Sequence, residues 1–137
     1  MAEAIRVLLV DDEQLFLESM SKVLKARGYE VGTAAAGVQA LEEVEFKPYD
    51  VVILDLRMPG MDGIEVLGRI RKSAPLLPVI LLSGHADVSR AVEAMQHGAV
   101  DYLLKPASIE KLCSRIQSAL EHRKILEEMR PEEPEGG

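Results

Sequence analysis

The sequence predicts an α/β fold built on a doubly wound parallel sheet. Two observations carry that prediction. Short apolar runs recur along the chain and alternate with longer stretches whose apolar residues follow helical spacing. One run, Val51-Val52-Ile53-Leu54, has no polar interruption, and three of its four residues are β-branched. That is the pattern of a strand buried on both faces, which parallel sheets require.

The elements follow in order. Residues 5–10 form the first strand, and Asp11-Asp12-Glu13 comes at once after it. Phe16, Met20, Val23 and Leu24 recur at helical spacing, with Arg27-Gly28 as a helix stop. Residues 30–34 form the second strand. Residues 37–47 form a helix with Val38, Leu41 and Val44 on one face, closed by Pro48. The third strand, residues 51–55, ends in a carboxylate. A turn-rich loop over 57–62 leads to Asp62-Gly63, which opens a helix with Ile64, Leu67 and Ile70 on one face. Pro75 and Pro78 bracket a loop. The fourth strand, residues 79–82, ends in Ser83-Gly84-His85. Val88, Ala91, Val92 and Met95 trace the fourth helix, which His97-Gly98 ends. The fifth strand, residues 101–104, runs into Lys105-Pro106. Ser108 is a good N-cap for the last helix, whose stripe is Ile109, Leu112, Cys113, Ile116 and Leu120 and whose pattern continues to Leu126 or Met129. Residues 131–137 are acidic and rich in Pro and Gly, and are expected to be a disordered tail or linker stub.

Strand and helix thus alternate five times. Right-handed crossovers leave few topologies. The expected one is the flavodoxin-like (βα)5 arrangement, a five-stranded sheet in the order 2-1-3-4-5 with its switch point between strands one and three. Residues 1–122 are expected to form one domain, and residues 123–137 a helical extension and acidic tail.

Composition narrows the function. Sixteen Lys and Arg against 23 Asp and Glu give a net charge of −7, which argues against a domain that grips nucleic acid directly. The single cysteine, Cys113, leaves no internal disulfide and falls on an apolar helix face as a small core residue. No apolar run is long enough to cross a membrane, and the first residues lack a secretory layout, so the expected location is cytoplasmic with no membrane partner.

In an open α/β sheet, ligands bind outside the carboxyl ends of the strands. Four strands end there in polar groups: Asp11 and Asp12, Asp55, Ser83, and Lys105. Three carboxylates in one pocket repel one another unless a cation sits among them, and carboxylates with open water positions suit Mg2+. A lysine ammonium and a small hydroxyl can then hold a phosphoryl oxygen. The set suits phosphoryl transfer, in which a protein mostly positions groups and neutralises charge. Asp55, central among the others, is the natural acceptor for an aspartyl phosphate.

These residues resemble the receiver domain of bacterial two-component response regulators over residues 5–122. The resemblance rests on Leu8-Leu9-Val10-Asp11-Asp12-Glu13, Leu54-Asp55-Leu56-Arg57-Met58-Pro59-Gly60-Met61-Asp62-Gly63, Leu82-Ser83-Gly84 and Tyr102-Leu103-Leu104-Lys105-Pro106. It implies that Asp55 takes a phosphoryl group from a phosphohistidine on a sensor histidine kinase. It implies that Asp12, Asp55 and the backbone carbonyl of Arg57 bind magnesium directly, and Asp11 through water. Ser83 and Lys105 would hold the phosphoryl group, and Lys105-Pro106 would be a cis peptide. Tyr102 would be a switch aromatic moving with Ser83. Arg57 and His85 would tune the lifetime of the phosphorylated state. The output face would be helix four, strand five and helix five, roughly residues 88–120, which serves such domains for homodimers or for holding an effector. The stretches 83–87 and 98–102 most resemble receivers fused to DNA-binding or ATPase activator modules.

Plainer readings accompany these. Asp12 is expected to cap the first helix as well as bind metal, and Tyr102 competes as a fixed core aromatic. Arg57 and His85 compete as solvated side chains. His97 is expected to serve a helix dipole, and His122 to be solvated. Two further function classes stand beside the receiver. A phosphatase or phosphotransferase with an Asp nucleophile is disfavoured because Arg57 occupies the place where many such hydrolases carry a second acid. A receiver-like module that is never phosphorylated is disfavoured by the intact set of Asp11, Asp12, Asp55, Ser83 and Lys105. Nothing marks a flavin site.

Overall fold

The chain is described by a computed structural model over residues 3–84 and 88–129. His85 and residues 131–137, both named above, lie outside the described residues. Five strands form one parallel sheet, β1 (Arg6–Val10), β2 (Glu30–Ala34), β3 (Val51–Leu54), β4 (Val79–Ser83) and β5 (Asp101–Leu104), in the order β2-β1-β3-β4-β5. The intervening helices are α1 (Gln14–Ala26), α2 (Gly37–Phe46), α3 (Gly63–Ser73), α4 (Val88–Gln96) and α5 (Ile109–Met129). This is the flavodoxin-like arrangement expected from the alternation. Among the described residues no helix is long and apolar enough to cross a membrane.

Strand periodicity divides the core into two layers. Leu8, Val10, Val52, Leu54, Val79 and Leu81 point to one face, beneath α2, α3 and α4. Val7, Leu9, Val51, Ile53, Ile80 and Leu82 point to the other, beneath α1 and α5. Successive strand residues face opposite ways, so β3, covered on both sides, has to be apolar at every position. Cys113 packs half-buried against the α1–α5 layer.

The helices cover the sheet with narrower stripes than their spacing predicted. Val23, Val38, Val88, Val92 and Met95 are exposed, although each falls on an expected apolar face. Leu17 and Leu24 carry α1, Gly37 and Ala40 carry α2, and Ala91 and Ala94 carry α4. Small residues let a helix approach the sheet closely, and that approach leaves the larger flanking side chains outside. α5 buries Leu112, Ile116 and Ala119, then continues past the sheet, where Ile125, Leu126 and Met129 stand exposed.

Capping follows the sequence in two places and departs from it in one. Asp62 accepts the Ile64 N–H at 2.8 Å to open α3, and Ser108 accepts the Lys111 N–H at 3.1 Å to open α5. Asp12 does not cap α1. The cap position is Glu13, which makes no side-chain cap bond. Asp11 instead bonds the backbone two residues on, accepting the Glu13 N–H at 2.9 Å, and this turn delays the helix until Gln14.

Candidate functional site

The register of the sheet assembles the site. Val10 of β1 pairs with Leu54 of β3, so the next residues, Asp11 and Asp55, leave the two central strands side by side. Backbone bonds hold both at their stems: Asp11 N–H donates to Ala34 at 3.0 Å, and Asp55 N–H to Val10 at 2.9 Å. On the other flank Ser83 pairs with Leu104, and Lys105 N–H donates to the Ser83 carbonyl at 2.9 Å. Four residues distant in sequence meet at one edge because parallel strands end together.

Their side chains close a network. The Asp55 carboxylate, only 7% exposed, accepts at Oδ1 from Ser83 Oγ at 3.1 Å and from the Arg57 N–H at 3.0 Å. Its Oδ2 lies 3.3 Å from Lys105 Nζ. Ser83 Oγ in turn accepts the Leu56 N–H at 3.1 Å. Lys105 Nζ donates to Asp11 Oδ2 at 2.5 Å and lies 3.6 Å from Glu13 Oε1. The lysine is threaded into place: it packs 4.4 Å above the centroid of the Phe16 ring, a cation–π contact on its apolar side. The Lys105–Pro106 peptide is cis.

Charge is crowded here. Burial pushes the Asp11 carboxyl above its ordinary range. Hydrogen bonds from Lys105 and Glu13 pull it back without winning, and the Asp55 charge adds to the rise. Burial also opposes the Lys105 ammonium, but its bond to Asp11 and the charges of Asp55 and Asp11 outweigh it and raise the pKa. Asp11, Asp12 and Asp55 each offer an oxygen, and the three oxygens lie within 4.8 Å of one another. Asp12 is exposed while the other two are buried. An all-oxygen donor set with one open side fits a hard cation that keeps part of its water shell, which is the habit of Mg2+.

The site opens into a cleft walled by Asp12, Glu13, Arg57, Asp62, Arg90 and Lys105. Its β3–α3 wall is tightly folded. A Cβ at Gly63 would lie 2.6 Å from the Leu56 Cα and 2.8 Å from its carbonyl oxygen, so only glycine lets α3 start this close to the end of β3. Tyr102 sits half-buried on β5 against the α2–α4 layer. His97, just beyond α4, and His122 on α5 are exposed.

Three participants escaped the sequence reading: Phe16 as the seat of the lysine, Glu13 as its third carboxylate, and Arg90, which pairs with Asp62 across the cleft. The helical spacing that marked Phe16 as a core residue gave no hint of the cation above it. For Arg90 a signal existed in its place, in the first turn of α4, the helix that follows the strand ending in Ser83.

Comparison with known proteins agrees with this geometry. The response regulator receiver domain model matches residues 7–117, and the chain belongs to that family. Such domains carry phosphorylation-dependent signals in two-component systems, receiving them from sensor histidine kinases. The transcriptional regulatory protein ZraR of Klebsiella oxytoca is 39% identical over 132 residues, which cover 96% of this chain and 30% of that protein. The alginate biosynthesis transcriptional regulatory protein AlgB of Pseudomonas aeruginosa is 40% identical over 120 residues, 88% of this chain and 27% of that protein. The chain therefore spans less than a third of the length of these curated relatives. A response regulator receiver domain protein from Clostridium thermocellum superposes with a TM-score of 0.84 at 36% identity, covering 89% of this chain and 98% of that one.

Proposed function

We propose that the chain is a magnesium-dependent phosphorylation switch whose acceptor is Asp55. The observation that carries this reading is the treatment of one carboxylate. Asp55 is buried at the mouth of a cleft, one oxygen held by a hydroxyl and a backbone amide, the other facing an ammonium, with two more carboxylates beside it. A structural carboxylate has no use for neighbours of its own sign.

Asp12, Asp55 and the Arg57 carbonyl would hold magnesium, and Asp11 would act through water. The ion would supply charge neutralisation and orientation for a phosphoryl group. An Asp55 oxygen forms a bond to phosphorus while the bond from phosphorus to the kinase histidine nitrogen breaks, and that imidazole leaves neutral after taking up a proton. Ser83 donates to a phosphoryl oxygen and Lys105 pairs with another. Ser83 gives up its bond to Asp55 in doing so, and Tyr102, three residues before Lys105 on the same strand end, follows it inward. Arg57 and His85 set the lifetime of the acyl phosphate. The response is read on the face made by α4, β5 and α5, which pairs with a second copy or holds an effector. The relatives named above are transcriptional regulators longer than this chain, so the effector we propose is a fused transcription-activating module, in the cytoplasm.

Intact mass after incubation with acetyl phosphate and Mg2+ tests the reading, with Asp55→Ala beside the parent. The expected result is a labile gain of one phosphate in the parent, lost in Asp55→Ala and abolished by a chelator. No gain with acetyl phosphate and none with a cognate kinase would overturn it.

A further inference from the structure

Arg90 and Asp62 stand on opposite walls of the acceptor cleft, at the start of α4 and the start of α3. They form an ion pair from Arg90 Nη2 to Asp62 Oδ1. The two partners are not equally tied. Asp62 is pinned by its cap bond to the Ile64 N–H at 2.8 Å. Among the described residues Arg90 uses one nitrogen, on Asp62 alone. A guanidinium carries five donors in a planar fork, and that fork matches phosphoryl oxygens as well as it matches a carboxylate. Arg90 thus sits on the rim of the pocket with most of its donors uncommitted to any described partner.

We propose that Arg90 is a positioning residue for the incoming phosphodonor, and that Asp62 restrains it by competing for the same guanidinium. The proposal rests on the reading of Asp55 as acceptor. In the resting protein Asp62 holds Arg90 at the rim. A donor's dianionic phosphoryl group entering the cleft offers it a second anion. Arg90 swings partly or wholly from Asp62 and steadies the group while the Asp55 oxygen bonds to phosphorus. With acetyl phosphate the bond from phosphorus to the acetyl oxygen breaks and acetate leaves as the anion. No oxidant or further reactant enters. Asp62 therefore has two separable duties: capping α3, which needs only an oxygen acceptor, and holding Arg90, which needs a negative charge.

That separation makes the test. Asn caps a helix about as well as Asp, so Asp62→Asn keeps the first duty and removes the second. The measurement is the second-order rate constant for phosphorylation of the whole chain by acetyl phosphate at saturating Mg2+, followed by intact mass. Asp62→Asn is expected to raise it about fivefold, and Arg90→Gln to lower it about fivefold, the scale of one exposed charge-assisted contact. The double variant is expected to match Arg90→Gln, because with no guanidinium present the charge on residue 62 has nothing to restrain. If Asp62→Asn accelerates the reaction equally in the Arg90→Gln background, the effect is bulk charge and the proposal is overturned. It is overturned too if both single variants move the rate the same way, or leave it unchanged, as a plain tie between helices would. A parent that is never phosphorylated on Asp55 defeats the acceptor reading itself, and the proposal with it.

Discussion

The two rims of the sheet handle charge in opposite ways. At the amino ends of the strands, the charged groups at the starts of β1, β2 and β5 have partners near water. Arg6 at the start of β1 bonds Glu30 at the start of β2 at 2.8 Å, and its backbone N–H is taken by Asp50 at 2.8 Å. Arg115 of α5 reaches both oxygens of Asp101 at the start of β5, at 2.7 and 2.8 Å. Tyr49 donates to Glu43 at 2.5 Å. At the carboxyl ends, Asp11 is 2% exposed and Lys105 19%, and the carboxylates of Asp11, Glu13 and Asp55 gather round one ammonium. These pairs close the first rim, apart from the half-buried Arg71 guanidinium beside Gly98, whose Nε and Nη2 have no described partner; the second rim is left open. Burying like charges lowers stability, so a rim built that way is kept for what it binds.

The sharpest way to break this contrast is to remove the ammonium that Asp11 and Asp55 share. Lys105→Met leaves Asp11 and Asp55 buried and facing each other. It is expected to cost about 3 kcal/mol in urea unfolding with a chelator present, the scale for orphaning one partner of a buried pair. Magnesium should shrink that deficit by supplying another positive charge to the same oxygens. An equal loss with and without the ion would mean that Lys105 serves packing on Phe16 alone.

An intermediate effect belongs to the closed rim. The Tyr49 hydroxyl bond, helped by Lys47, holds the Glu43 carboxyl below its ordinary range. A depressed folded-state pKa gives stability that is complete above the ordinary glutamate range and is lost as pH falls through the lowered value. Tyr49→Phe should therefore cost about 1 kcal/mol near neutrality, and the gap between it and the parent should narrow in acid. A gap independent of pH would assign the loss to packing, since Tyr49 also covers Gly32, where a Cβ would lie 1.9 Å from the Tyr49 oxygen. The smallest effect is that of Arg6→Ala, expected within about 0.5 kcal/mol of the parent in the same denaturation assay, because its pair with Glu30 is exposed and screened. A loss several times larger would erase the distinction between the rims.

The open rim was legible in the sequence to the extent that strand ends are. Asp11, Asp55, Ser83 and Lys105 each follow a short apolar run, and parallel strands deliver their ends to one edge whatever the loops do. The helix contributions were not legible in the same way. Spacing placed Val88, Ala91, Val92 and Met95 on a covered face; of these only Ala91 is buried, and Ala94, which spacing did not mark, shares the contact. Apolar periodicity finds a stripe but not how close the helix comes, and alanine is a weak signal in any such pattern. Asp12 shows a different failure. The carboxylate at position 11 makes the turn, and a local backbone bond of this kind outranks a cap preference read from type alone. Arg90 and Asp62 pair across 28 residues of sequence, a separation no local rule addresses.

The alanines of α4 have one more consequence. α3 is seated by Val66, Leu67 and Ile70, each a branched side chain worth about 1.5–3 kcal/mol when buried, whereas α4 is seated by two methyl groups worth about 0.8 kcal/mol each. Lifting α4 therefore takes a small fraction of the free energy that opening β3 or β4 takes. In a hierarchy of partial openings, the floor that carries Asp55 and Ser83 belongs to the last unit to yield, and the wall that carries Arg90 to one of the first.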